Sequence, residues 1–159
     1  MGLYLRQKGI PKTIFGFDSF EGFDTSVETD IHLGGSDVEV KKVRGFDDTS
    51  YALVQRKAAI FHLRNFRIEP GFFQESLRRC QNEKFCFVHL DCDLYESYAV
   101  CLDFFYPRVV KGGIILFDEY NDPAWPGANR AVDEFLSSKP ERPQSITRDN
   151  FEKWFVVKS

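Results

Sequence analysis

Four short segments, most of them apolar, punctuate the chain and predict the strands of a sheet. They are Thr13–Phe17, Asn65–Glu69, Phe85–Leu90 and Ile114–Phe117. Apolar residues at successive positions are typical of strands that are covered on both faces. Each strand is followed by polar or turn-forming residues, so the hydrophobic pattern already gives both the strands and their ends.

Amphipathic segments lie between these runs and predict helices. Their apolar side chains recur at helical spacing and would form one buried stripe on each helix. The first segment begins at Asp48 or Thr49 and ends near His62. The second runs from Phe73 to Cys80, the third runs from about Glu96 to Phe105, and the fourth follows Pro126–Gly127. The apolar stripes are Val54, Ala58 and Phe61; Phe73, Leu77 and Cys80; Tyr98, Leu102 and Phe105; and Ala128, Val132, Phe135 and Leu136.

The two ends of the chain and one long internal segment complete the pattern. Met1–Gly9 predicts the last turns of a helix, and Ser145–Arg148 with Trp154–Lys158 predicts a closing antiparallel hairpin. Phe23–Phe46 predicts a loop with a short strand. Strands that alternate with helices indicate an α/β fold with a mainly parallel sheet covered on both faces.

Composition narrows the class of protein. At 159 residues the chain predicts a single domain, residues 1–159, and its net charge of −3 provides no basic stripe for nucleic acid. The four cysteines include no Cys-x-x-Cys pair of the kind that binds zinc. We therefore expect them to be reduced thiols in the core of a cytoplasmic protein. We find neither a signal peptide nor a run of the ~20 apolar residues that a membrane span needs. Self-association into a homo-oligomer is left open.

Acidic residues follow three of the predicted strands. Asp18 follows the first, Asp91 and Asp93 follow the third, and Asp118 and Glu119 follow the fourth. The carboxyl ends of parallel strands share one edge of a sheet, so these carboxylates should converge. Converging carboxylates raise one another's pKa values or bind a cation such as Mg²⁺. We expect Asp91 and Asp118 to share one ion, with Glu119 or Asp93 completing or flanking it.

Less specific interpretations of the same residues remain open. Some of the acids could simply cap the helices that follow them. Asp18 could accept the ribose hydroxyls of a nucleotide cofactor, or could be a turn residue. His89 lies in an apolar strand, which favours a hydrogen-bonded core histidine over a metal ligand.

Four motifs, taken together, resemble the macrocin O-methyltransferase family. They are Phe15–Gly22, His89–Ser97, Gly112–Tyr120 and Ala131–Phe135, and the resemblance covers most of the chain from about residue 13 to residue 137. The resemblance implies a Rossmann-like class I methyltransferase fold, a three-layer sandwich with a C-terminal antiparallel hairpin. It also implies S-adenosylmethionine and Mg²⁺ as cofactors, and a small-molecule substrate whose sugar or phenolic hydroxyl is methylated.

The resemblance assigns roles by position. Asp91, Asp118 and Glu119 match the metal ligands, although the family usually has two aspartates where this chain has Asp118 and Glu119. Asp93 matches the general base. The cofactor contacts match Asp18, Ser19, Phe20, Glu21 and Gly22, together with Phe73 and Ser76 in the segment that lies beside the adenine.

One departure from the family pattern concerns the start of the fold. The family begins with a strand and a glycine-rich turn that hold the methionine end of the cofactor, and no segment of this sequence matches them. We therefore expect a methyltransferase domain without its first strand, either a fragment or a degenerate member. Two other functions stay open: a metal-dependent glycosyltransferase that uses a nucleotide sugar, and a non-catalytic methyltransferase remnant.

Overall fold

The computed structural model describes residues 1–23, 49–149 and 151–159, which fall into two compact units. The first unit contains residues 1–23 and 49–80, and the second contains residues 81–149 and 151–159. The loop and short strand predicted for Phe23–Phe46 lie almost wholly outside the described residues. The prediction of a single domain over residues 1–159 stays a prediction.

The first unit is built on a pair of parallel strands. Ile14 of the first strand lies opposite Phe66 of the second, and Asp18 lies opposite Pro70, so both strands end at the same edge. The elements in chain order are α1 (Gly2–Gln7), β1 (Ile14–Asp18), α2 (Tyr51–Ile60), β2 (Phe66–Pro70) and α3 (Phe73–Ser76), followed by a 3-10 turn (Leu77–Cys80).

The second unit is a four-stranded sheet with two helices. Its elements are β3 (Phe85–Leu90), α4 (Tyr95–Phe105), a 3-10 turn (Tyr106–Arg108), β4 (Val109–Phe117), α5 (Pro126–Leu136), β5 (Gln144–Arg148) and β6 (Phe151–Val157). The strand order is β3-β4-β6-β5, with β3 and β4 parallel and β6 antiparallel to both of its neighbours. The predicted α/β fold with a C-terminal antiparallel hairpin is confirmed. In the described part of the chain, no helix combines the length and hydrophobicity that crossing a bilayer requires.

Helix α2 begins later than its sequence suggested. Its N-cap is Ser50, whose hydroxyl accepts a hydrogen bond from the backbone N–H of Leu53 at 3.2 Å. The predicted cap at Asp48 or Thr49 was therefore wrong, because the serine oxygen satisfies the amide that would otherwise lack a partner. The predicted apolar stripe is also shorter, since Phe61 follows the helix and is 51% exposed.

The core of the second unit is formed by the buried side chains of α4 and α5, which pack together, and of the sheet. The inward positions predicted on α4 are confirmed, since Tyr98, Leu102 and Phe105 are buried. Further fully buried side chains come from β4, α5 and β6: Ile115, Phe117, Val132 and Val156.

Strand β3 is less enclosed than its apolar sequence predicted. Val88 and Leu90 are buried, whereas Phe87 and His89, which precede them in turn, are exposed. Alternation of this kind means that only one face of β3 is covered among the described residues. The expectation of burial on both faces was therefore wrong for this strand.

Strand β4 begins five residues earlier than the predicted Ile114, and Gly112 lies inside it. The pairing of β3 with β4 shifts register between Phe85 and Phe87. Gly112 has a φ of +76°, which favours glycine. A Cβ on Gly113 would meet a Val109 methyl at 2.6 Å. The glycine pair therefore lets the strand continue through an irregularity instead of ending there.

Adjacent valines on β6 test how the second unit is packed. Val156 is 1% exposed and Val157 is 38% exposed, and they lie on opposite faces of one strand. We expect Val156→Ala to lower the free energy of unfolding by about 1.5–3 kcal/mol, because it removes buried methyl groups and leaves a cavity. Val157→Ala, the matched control, should cost no more than about 1 kcal/mol. Equal losses in urea unfolding would contradict the described packing.

Candidate functional site

The carboxyl ends of β3 and β4 lie side by side and bring their acidic residues together. Leu90 is paired with Phe117, and the backbone N–H of Asp118 donates to the carbonyl of Leu90 at 2.9 Å. Asp91 and Asp118 therefore follow directly from neighbouring strand ends that a hydrogen bond holds together. The sequence predicted this juxtaposition from the parallel arrangement of the strands.

Three side chains at this edge could hold a metal ion. Among the described residues, His89, Asp91 and Asp118 offer ligand atoms that all lie within 4.8 Å of one another, and we call these three residues the acidic cluster. The Nε2 atom of His89 lies 3.1 Å from Oδ1 of Asp118, and the histidine side chain is 40% exposed. Its interpretation as a core histidine was therefore wrong. The two-residue spacing of His89 and Asp91 could have predicted this ligand, because residues two apart on a strand share a face.

Asp118 is held as a carboxylate by two neighbours. Burial opposes its ionisation, but hydrogen bonds from Lys153 and His89 outweigh burial and hold the pKa of Asp118 below its ordinary value. The ammonium group of Lys153 lies 2.5 Å from Oδ1 of Asp118 and 3.2 Å from its backbone carbonyl. Asp118 is therefore negatively charged at neutral pH and available as a ligand.

Glu119, predicted as a metal ligand, lies outside the acidic cluster. It is only 4% exposed, and its Oε2 atom accepts a hydrogen bond from the hydroxyl of Tyr98 at 2.6 Å. The same oxygen accepts the backbone N–H groups of Cys92 at 3.4 Å and Asp93 at 3.3 Å. Burial and the nearby carboxylates raise the pKa of Glu119. Its observed contacts support the turn that carries Asp91 and Asp93.

Asp93, predicted as the general base, sits in that turn. Its backbone φ is +60°, so the chain is not extended at this residue. Burial, together with the charges of Glu119, Asp91 and Asp118, raises the pKa of Asp93 to about 7. A carboxyl group with this pKa can exchange a proton near neutral pH, which is the property that a general base needs.

The residues predicted to bind the cofactor's ribose lie in the first unit, at the end of β1 and directly after it. The Oδ1 atom of Asp18 accepts the backbone N–H of Phe20 at 2.7 Å. The hydroxyl of Ser19 accepts the N–H of Glu21 at 3.1 Å and donates to the carbonyl of Gly22 at 2.9 Å. Asp18 therefore does form a turn, as one interpretation predicted. It is also an exposed carboxylate at the end of a parallel strand, which suits hydroxyl donors.

The residues predicted to lie beside the adenine follow the neighbouring strand. The N–H of Gly71 donates to the carbonyl of Asp18 at 2.9 Å, so this segment and the β1 turn lie together. Phe73 is half-buried at the start of α3. Ser76 is fully buried, and its hydroxyl donates to the carbonyl of Phe72 at 3.1 Å. The structure thus brings the two predicted cofactor segments together, while the hydroxyl of Ser76 is used within its own helix.

The donor atoms of the acidic cluster fit a divalent cation. Carboxylate oxygens are the ligands that Mg²⁺ prefers, and an imidazole extends the set to Mn²⁺ and other first-row ions. Neighbouring donors around an octahedral ion lie roughly 3 Å apart, and the His89 and Asp118 donors are 3.1 Å apart.

Comparison with known proteins places these observations in a family. The family model described as Macrocin-O-methyltransferase (TylF) matches residues 1–154. The chain is 28% identical over 128 residues to mycinamicin III 3''-O-methyltransferase of Micromonospora griseorubida. This alignment covers 78% of this chain and 49% of that protein. It is 28% identical over 140 residues to demethyldecarbamoylnovobiocin O-methyltransferase of Streptomyces niveus, covering 87% of this chain and 52% of that protein. The chain thus spans about half the length of the curated relatives it matches.

Solved structures extend the likeness to three dimensions. The O-methyltransferase NovP superposes with a TM-score of 0.80 at 23% identity, over 98% of this chain and 64% of that one. The calicheamicin methyltransferase CalS11 gives a TM-score of 0.70 at 21% identity, over 98% of this chain and 66% of that one. At these identities the structures show the fold alone, which is that of class I O-methyltransferases. Because the family model covers nearly the whole sequence, the chain belongs to the macrocin-O-methyltransferase (TylF) family.

Proposed function

We propose that this protein is an O-methyltransferase that uses S-adenosylmethionine and a divalent cation, Mg²⁺ in the first instance, to methylate a hydroxyl group of a sugar or natural-product-like small molecule. The acidic cluster carries the proposal, since His89, Asp91 and Asp118 group their ligand atoms within 4.8 Å in a member of this family. The relatives named above methylate natural products, which supports the substrate class.

Asp91 and Asp118 have the clearest role in this proposal. They supply the negative charge that would hold the cation, with His89 as a further ligand beside Asp118. When bound, the cation lowers the pKa of a hydroxyl that it coordinates and offsets the repulsion between the carboxylates. The Asp118 contact with Lys153 keeps this carboxylate ionised before any cation arrives.

Asp93 would take the proton from the acceptor hydroxyl. Its pKa of about 7 makes an appreciable fraction ionised at neutral pH while keeping the carboxylate basic enough to accept a proton. Glu119 acts as a positioning residue, because its buried carboxylate binds the N–H of Asp93 and thereby fixes the turn. Holding the base in place matters because methyl transfer needs an aligned acceptor oxygen.

The first unit would supply contacts to the methyl donor. S-adenosylmethionine, when bound, provides the methyl group on its sulfonium. The carboxylate of Asp18 is exposed and suited to the ribose hydroxyls, and Ser19 to Gly22 form the turn that presents it. Phe73 and Ser76 follow the adjacent strand, where they would border the adenine.

Methyl transfer from labelled S-adenosylmethionine tests the proposal directly. With a panel of deoxysugar-bearing and phenolic acceptors, we expect transfer that requires Mg²⁺ and is abolished by a chelator. Asp91→Asn should lower the rate by roughly 10²-fold or more, because the cation loses a charged ligand. Asp103→Asn, which changes an exposed aspartate on α4, is the matched control and should leave the rate unchanged. Metal-dependent binding of a UDP-sugar without binding of S-adenosylmethionine would instead identify a glycosyltransferase.

The pH dependence of the reaction tests the role of Asp93. Asp93 is protonated below its pKa, which is raised to about 7 without a cation and is lowered when a cation binds beside it, so kcat should rise as pH increases through a value at or below about 7. Asp93→Asn should lower kcat by roughly 10²- to 10⁴-fold and remove this rise. A variant that keeps the wild-type pH profile would show that another group is the base.

Stability in the presence of a chelator tests the same pKa independently of activity. A raised carboxyl pKa stabilises the fold only while the group is protonated, so this contribution is lost as pH rises from about 4 through about 7. Asp93→Asn should therefore raise the free energy of unfolding above pH ~7 by about 1–2 kcal/mol, after allowing for solvent screening. Asparagine also tolerates the positive φ at this position. Asp103→Asn should show no such pH-dependent gain, and a loss of stability in Asp93→Asn would contradict the described environment.

A further inference from the structure

Lys153 reaches the acidic cluster from the C-terminal hairpin. It lies on β6 opposite Ile146 of β5, one residue before Trp154, which pairs with Phe117 at the end of β4. This register brings the ammonium group to the strand end, 2.5 Å from Oδ1 of Asp118 and 3.2 Å from the carbonyl of the same residue. Lys153 thus forms an ion pair with Asp118.

The oxygen that Lys153 contacts is also the one that faces His89. Oδ1 of Asp118 lies 3.1 Å from Nε2 of His89. These two contacts occupy the lone-pair positions of that oxygen. The two partners differ in one respect: an imidazole nitrogen can bind a metal ion, whereas an ammonium group has three donors and no lone pair. A divalent cation bound through Oδ1 can therefore coexist with His89 but not with the ammonium group at its present distance.

Binding through the other oxygen of Asp118 would not remove the conflict. A divalent ion on that carboxylate would lie within a few ångströms of the ammonium charge, and like charges at such a distance repel each other. Either oxygen therefore places the incoming cation against Lys153.

We propose that Lys153 is a resident counter-ion that competes with the divalent cation for Asp118 and has to be displaced when the cation binds. This inference rests on the proposed function, because it assumes that the acidic cluster is the cation site. Lys153 then sets the concentration of free cation at which the site fills, because it occupies Asp118 until an ion takes its place.

Displacement is feasible where these side chains lie. The side chain of Lys153 is 38% exposed and that of Asp118 is 30% exposed, so both are in contact with solvent. Lysine has a flexible stem and its ammonium group is strongly hydrated, so it can move into water without leaving a buried charge unpaired. Lys153 should therefore weaken cation binding rather than prevent it.

Calorimetric titration of the full chain with MgCl₂ and with MnCl₂ tests this competition without relying on activity. Lys153→Met removes the charge and keeps an apolar stem, and we expect it to lower the Kd for each ion on the order of tenfold, as befits a partly exposed, charge-assisted contact. Lys153→Arg keeps the charge and should bind within about twofold of wild type. Lys84→Met removes a charge from an exposed lysine before β3, and should leave the Kd unchanged.

The outcomes separate this inference from the proposed function. Tighter binding by Lys153→Met alone, lost again when Asp118→Asn is added, supports the competition. Equal or weaker binding by Lys153→Met would overturn it while leaving the cation site in place. If wild type and Lys153→Met both fail to bind either ion, both the inference and the metal part of the proposed function are wrong. Thermal unfolding of each variant establishes that it is folded at the titration temperature.

Discussion

A buried carboxylate beneath the end of β3 organises the whole acidic edge of the second unit. Glu119 is 4% exposed, and its Oε2 atom accepts hydrogen bonds from the hydroxyl of Tyr98 and from the backbone of Cys92 and Asp93. A buried carboxylate is tolerated only with partners of this kind, and each partner is thereby fixed in turn. The turn after β3, and the direction in which its two aspartates project, depend on this set of contacts.

The same edge gives its carboxylates different chemical characters. Asp118 is held ionised by Lys153 and His89, whereas burial and neighbouring negative charges raise the pKa of Asp93 to about 7. Environments that separate the pKa values of adjacent acids commonly separate their roles. Here the separation suits one carboxylate that holds a cation and another that moves a proton, which is the division of labour that the proposed methyl transfer requires.

Much of the fold and part of the site could be predicted from local patterns. The bounds of β3 followed from its apolar run, and the meeting of Asp91 with Asp118 followed from the geometry of parallel strands. The remainder depends on contacts that local sequence does not encode. Glycines can also allow an irregularity inside a strand, as Gly112 does in β4. Lys153 reaches Asp118 through antiparallel register across a sheet, from 35 residues away. Burial of Glu119 depends on Tyr98 from another element.

The central claim is that His89, Asp91 and Asp118 hold a divalent cation. The most direct measurement is anomalous diffraction from crystals of this protein grown with Mn²⁺. We predict one anomalous peak at the ends of β3 and β4, coordinated by His89, Asp91 and Asp118, and the ammonium group of Lys153 withdrawn from Asp118. Ordered side chains with no peak among them, at a Mn²⁺ concentration that saturates binding in solution, would contradict the account.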